Sequence, residues 1–194
     1  IWMGGSILKH PRWDWRIVSL CRASDTDRAP RFRGAATEMG AQAFISDLDD
    51  SPILAPLSPD LHEIKERVSP IAPHRLALIF THGENGEYTR HERHEQVHRA
   101  VRDMVDSGDL TGELLFFAYD DHGGQCRPRP AADADILVSL LDDEYKRKSR
   151  IVREIYGFAP GSIEFDAAGP LEAFRVHRKT VGIKRLQAII QRTD

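Results

Sequence analysis

Apolar and polar positions follow two periods along the chain. Residues 15–21 (WRIVSLC) form a short apolar run that reads as a buried strand. Residues 31–39 have helical spacing and stop at Gly40, a residue suited to a helix C-terminus. Residues 41–45 read as a second strand, and a Pro/Ser-rich loop covers 51–59. Ser58 or Asp60 is placed to cap a helix over 61–68. Residues 75–80 (RLALIF) are the clearest strand, and so continuous an apolar run is expected to be covered on both faces. A polar loop over 81–90 and a helix over 94–105 follow, then a strand over 113–119. Residues 123–134, rich in Pro and Gly, read as a loop or lid. Residues 136–156 read as one long helix, and 157–194 are too weakly periodic to place. Strands that alternate with helices predict βαβ units and an α/β fold built on a parallel sheet. Ligands in such folds bind where strands end and lead into helices, and the loop after the best strand lies at such a place.

Composition narrows this picture. The 194 residues are 41% hydrophobic and 29% charged, which fits one α/β domain spanning 1–194. A net charge of -3 argues against a dedicated nucleic-acid binder, so no nucleic-acid partner is expected. No apolar run is long enough to cross a bilayer, so no membrane partner is expected either. Cys21 and Cys126 are too few for a disulfide framework and point to a reducing compartment, hence a cytoplasmic location. The nine histidines are many, and His82, His91, His94 and His98 fall in one short stretch. Neutral imidazole is the commonest protein ligand for zinc and related divalent ions, and residues three or four apart on a helix share a face.

Two chemical readings compete for this stretch. His94-Glu95-Gln96-Val97-His98 is a literal H-E-x-x-H, which on a helix presents two zinc ligands with a glutamate base, as in zinc peptidases. The turn before it, Arg90-His91-Glu92-Arg93, is wholly charged, and no third ligand stands out downstream. The other reading pairs His91 with His94 as H-x-x-H at the end of a strand-loop-helix unit.

That unit resembles a known family. Thr81-His82-Gly83-Glu84-Asn85-Gly86-Glu87-Tyr88, then His91-Glu92-Arg93-His94, then Val97-His98-Arg99-Ala100-Val101 is similar to the second signature of the PIG-L/LmbE-like zinc deacetylases. The family's usual Pro-Asp inside H-x-x-H is here Glu92-Arg93, and the two histidines stay in register. Upstream, Met3-Gly4-Gly5-Ser6-Ile7-Leu8 resembles the family's first helix start, and residues 18–25 resemble its second strand and turn. Residues 28–40 resemble its arginine-led helix, with Arg28 at the arginine position and Arg31 where a glutamate is usual. The likeness covers residues 1–106. Beyond them only 144–158 is similar, so 107–194 reads as a variable C-terminal part.

The resemblance implies a Rossmann-like domain with a mostly parallel sheet flanked by helices. It implies Zn2+ or another divalent metal as cofactor. The implied activity removes an acyl group from a small N-acylated, amino-sugar-like substrate. His94 is the implied metal ligand. His91 is the implied catalytic residue, assisting the tetrahedral intermediate or protonating the leaving amine. The family's His-Pro-Asp-Asp signature is not found, and His10-Pro11-Arg12 is the nearest sequence. It would fall immediately before Ile1. The sequence is therefore expected to begin one strand into the domain, with two ligands and the general base preceding it.

Other candidates come from position. Arg28 and Asp50 are candidate substrate contacts, and Asp47, Asp49 and Asp50 lie where a carboxylate can orient a site histidine. His82, directly after the best strand, is expected to stand behind the ligands, and Glu84 and Glu87 to shape the loop. Asp120, Asp121 and His122 read as a turn at a strand end. The alternatives to the deacetylase are a zinc peptidase using His94, Glu95 and His98, and a catalytically degenerate carbohydrate-binding or regulatory domain of the same fold. Self-association is left open.

Overall fold

A computed structural model describes residues 1–50, 61–73, 75–88, 92–178 and 182–192. In chain order its elements are α1 (Gly4–Lys9), β1 (Arg16–Ser19), α2 (Arg28–Glu38), β2 (Gln42–Ile45), α3 (Leu61–Val68), β3 (Arg75–Thr81), α4 (Glu92–Ser107) and β4 (Thr111–Phe117). There follow β5 (Tyr119–Asp120), β6 (Arg129–Pro130), β7 (Ile136–Ser139), α5 (Asp142–Arg150), a π-helical turn (Ile151–Ile155), α6 (Ile163–Ala167), β8 (Leu171–Val176) and α7 (Ile183–Gln191). The expected loop over 51–59, with its cap at Ser58 or Asp60, lies outside the described residues.

The fold is α/β, but its main sheet is mixed. β3 and β4 pair in parallel, as the strand-helix alternation predicts. β8 then pairs antiparallel with both β4 and β7, which gives the order β3-β4-β8-β7. β1 and β2 form a separate parallel pair, and β5 and β6 a short antiparallel one. The parallel-sheet expectation therefore holds for the first half and fails where β8 enters. Residues 171–176 read LEAFRV, and the charged Glu172 interrupts the apolar run although it is fully buried.

The long helix expected over 136–156 is three elements. Ile136 and Val138 are fully buried while Leu137 and Ser139 are exposed, a period of two that makes β7 a strand. The helix begins only at Asp142, where the Glu144 carboxylate accepts the Leu141 N–H at 2.7 Å. The outer edge of β7 is closed by α7. The Gln187 and Gln191 amides each bond a β7 residue, Leu137 and Ser139, at both N–H and C=O. Two side-chain amides thereby stand in for a further strand and blunt the edge.

α4 covers one face of the parallel pair, with Ile79, Val101, Met104, Leu110 and Leu114 buried between them. The cluster of Leu115, Ile136, Val138, Phe174, Val176, Leu186 and Ile190 joins the rest of the sheet to α7. Each such side chain contributes roughly 1.5–3 kcal/mol. β3 is less covered than its sequence predicts. Ile79 and Thr81 are buried, Leu76, Leu78 and Phe80 only half so, and Ala77 is exposed. A cavity of about 470 Å³ lies between β3 and β1.

One buried network ties the chain together across long sequence distances. The Glu172 carboxylate accepts the N–H groups of Gly5 and Ser6 at 2.8 and 2.7 Å, and the Ser6 hydroxyl at 2.6 Å. The Lys148 ammonium donates to it at 2.7 Å. Beside this pair, Lys9 and Glu144 form a second buried ion pair at 2.7 Å. No helix among the described residues is long and apolar enough to cross a membrane.

Both the network and the capped edge can be tested by substitution. Glu172→Gln leaves Lys148 buried without its counter-charge and should cost about 3–5 kcal/mol of unfolding free energy in urea denaturation. Replacing both Gln187 and Gln191 by Ala opens the β7 edge, and light scattering should then show concentration-dependent self-association.

Candidate metal centre

β3 ends at Thr81 and the chain turns at once. Gly83 approaches the Phe117 carbonyl so closely that a Cβ there would sit 2.8 Å from the oxygen. Gly86 adopts φ 75°, a conformation glycine reaches without strain. These two glycines fold residues 82–87 back on themselves, and Glu87 lands beneath the backbone it follows. Its carboxylate accepts the Gly83 N–H at 2.9 Å and faces the His82 Nδ1 at 3.0 Å. His94, on the first turn of α4, reaches the other oxygen through Nδ1 at 2.8 Å.

Glu87 is 1% exposed. Burial by itself would raise its pKa, but the attraction and hydrogen bonds of His82 and His94 outweigh it and hold the carboxyl well below the usual range. An ionised carboxylate only accepts, so both imidazoles must donate from Nδ1. Their Nε2 atoms are thereby left as the basic nitrogens, the arrangement by which a carboxylate orients metal-binding histidines. The two rings stack at 3.8 Å between centroids. Desolvation lowers the His94 pKa, Glu87 opposes the shift, and the neighbouring His82 adds to it. The neutral imidazole, which is the metal-binding form, is thus favoured.

His82, Glu87 and His94 each offer a ligand atom within 4.8 Å of the others. Imidazole nitrogens are common zinc ligands, and a carboxylate behind them is a common support. The chemistry of the group therefore fits a divalent ion. His82 belongs to the group itself rather than standing behind it. Glu87, expected only to shape the loop, does so and also holds both imidazole rings. The signal for it was a carboxylate between two histidines in one turn.

The other sequence candidates lie elsewhere. His91 is outside the described residues. Asp50 accepts a hydrogen bond from the Arg22 guanidinium at 3.2 Å and acts on His94 only through its charge. Asp47 holds the Ser24 N–H at 2.8 Å, an ordinary turn contact. The Arg28 guanidinium lies over the Phe158 ring, 5.2 Å from its centre, so its packing is against the segment after the π-helical turn. Asp120 accepts the His122 N–H at 2.7 Å in the expected turn. Glu95 is buried and ion-paired with Arg99 at 3.5 Å. His98 uses Nδ1 to donate to the His82 carbonyl at 2.9 Å. Tyr88 meets the His94 ring edge-on at 6.5 Å and also lines a cleft of about 400 Å³ with Asp121, Gln125 and Arg127.

No protein-family model matches the sequence, and no curated protein matches it. Among solved structures, the chain is similar to the conserved protein TT1542 from Thermus thermophilus. The TM-score is 0.64 at 15% sequence identity, over 92% of this chain and 89% of that one. At that identity the likeness concerns the fold alone.

Glu87→Ala leaves two imidazole N–H groups and the Gly83 N–H without their acceptor. With each buried orphan costing about 1–3 kcal/mol and partial relaxation, the variant should lose roughly 2–4 kcal/mol in urea denaturation.

Proposed function

We propose that this protein is a metal-dependent hydrolase that removes an acyl group, such as acetyl, from a small N-acylated, amino-sugar-like molecule. In this reading its α/β fold is Rossmann-like and it belongs with the PIG-L/LmbE-like deacetylases. The observation that carries the reading is the buried Glu87 carboxylate holding His82 and His94 in the Nδ1–H form at the C-terminal end of β3. Sites of this kind of fold lie at such strand ends. The resemblance of residues 81–101 to the family's second signature is the sequence support.

His82 and His94 would hold the metal, zinc or another divalent ion, through Nε2 with Glu87 behind them, and His94 is the ligand that the family resemblance also singles out. Such an ion supplies Lewis-acid activation of water and of the amide carbonyl. The rest of the work belongs to the chain. Glu87 fixes the two rings, and burial favours the neutral form of His94. His91 carries the proton to the leaving amine. Tyr88 and the cleft it shares with Gln125 and Arg127 give the substrate an apolar ring to lie on and polar groups to meet.

The peptidase alternative has less support. Its base, Glu95, is ion-paired with Arg99, and its second ligand, His98, is anchored to the His82 carbonyl. Three substitutions and a metal assay separate the readings. Zinc affinity should be lost in His94→Ala. His91→Ala should keep the metal and lose hydrolysis of N-acetylglucosamine derivatives by about 10²–10⁴-fold. Glu95→Gln should leave both intact. Negligible zinc binding by the unmodified protein would favour the degenerate binding domain instead.

A further inference from the structure

The turn after β3 is attached to α4 at two places. His94 reaches the Glu87 carboxylate at 2.8 Å, and His98, four residues further along the helix, reaches the His82 carbonyl at 2.9 Å. α4 is the fixed side of this attachment. Val101 and Met104 are buried with Ile79, Leu110 and Leu114, and Ala100 is buried with Leu20, Leu48 and Ile64. The turn is the side that has to be held. The ladder to β4 ends with Thr81 opposite Phe116, so His82 is the first residue beyond it.

One peptide unit carries the geometry of that turn. The His82 carbonyl accepts from His98, and the Gly83 N–H of the same planar unit donates to Glu87 at 2.9 Å. The plane is therefore held at both its oxygen and its nitrogen. A carbonyl only accepts, so the His98 proton sits on Nδ1. Rotation of this plane would carry the His82 ring off Glu87 and off the His94 ring, on which it stacks at 3.8 Å. The His98 ring is itself seated, 4.4 Å from the centre of the Phe116 ring, and Phe116 is the ladder partner of Thr81.

The spacing of the H-E-x-x-H pattern thereby acquires a structural cause. Its first histidine holds a carboxylate of the turn and its second holds the backbone of the same turn. Four residues separate them because that is about one turn of helix, roughly 5.4 Å along its axis. Glu95 between them turns to Arg99 instead. Exposure separates the histidines in the same way. The His82 and His94 side chains keep 25% and 21% of their surface open, whereas His98 is 4% exposed.

We propose that His98 is a positioning residue. Its Nδ1–H holds the His82–Gly83 peptide so that the His82 and His94 imidazoles both stay on Glu87 and present their Nε2 atoms together. The consequence for a bound ion rests on the metal-binding part of the hydrolase reading. The positioning of the rings belongs to the metal-free chain.

The test uses two variants. His98→Leu keeps an apolar side chain against Phe116 and removes the donor, and His98→Asn places an amide nitrogen where Nδ1 stands. Circular dichroism checks that each is folded. Long-range proton–nitrogen NMR of the metal-free proteins shows which nitrogen of each imidazole carries the proton. The unmodified chain should show His82 and His94 as single Nδ1–H tautomers. His98→Leu should turn His82 into a mixture, and His98→Asn should keep the single form. Zinc titrations should follow the same order, with affinity about 10–100-fold weaker in His98→Leu and near the unmodified value in His98→Asn. Unchanged tautomers in a folded His98→Leu would overturn the proposal. So would a mixture in a folded His98→Asn, which decides the matter even where His98→Leu does not fold. No zinc binding by the unmodified chain would overturn the metal reading, and the tautomers of His82 would still decide the role of His98.

Discussion

A carboxylate on β8 holds the two ends of this chain in one structure. Glu172 is fully buried, and four donors from α1 and α5 converge on it. A charge in that position is tolerable only if every donor is in place, because an unpartnered buried ion costs several kcal/mol. The contact therefore sets where α1 begins, how α5 lies against it, and which strand occupies the middle of the sheet. The strand that carries it runs antiparallel between β4 and β7, with Glu172 beneath the start of α1.

The candidate metal centre repeats this device on a smaller scale. Glu87 is a second buried carboxylate whose neighbours donate to it, here two imidazoles and a backbone N–H. In the first case the carboxylate fastens helices. In the second it sets the protonation pattern of two rings and turns their remaining nitrogens into bases. α4 is held to the same turn one helical repeat later, where His98 donates to the His82 carbonyl. A histidine that the H-E-x-x-H pattern casts as a ligand is thus anchored to the backbone of the centre.

The cavity between β1 and β3 shows the converse. Where no strand among the described residues pairs with the backbone edges, the apolar residues beside them stay half-exposed, as Leu76, Leu78 and Phe80 do. The continuous apolar run of β3 is the pattern of a strand covered on both faces and paired on both edges. Among the described residues β3 pairs with β4.

Local elements were legible in the residues: β3, α3 and α4 from their periods, the stop of α2 before Gly40, and the histidine-rich turn after β3. A period of two or 3.6 and the nature of a turn residue act within a few positions, so they can be read without the fold. The family resemblance marked His94 as a ligand, and position after β3 placed His82 behind it. The remaining features needed the folded chain. Residues 136–139 became a strand rather than helix, because alternate burial against α7 and β8 overrode the apolar run. β8 entered the sheet antiparallel and carries a buried charge, Glu172, whose donors lie more than a hundred residues away on α1. Glu87 rose from a loop residue to the hub of the site, because only the fold brings His94 back onto it. Long-range pairing of buried charge leaves no period in a sequence, so it becomes visible only when the partners meet.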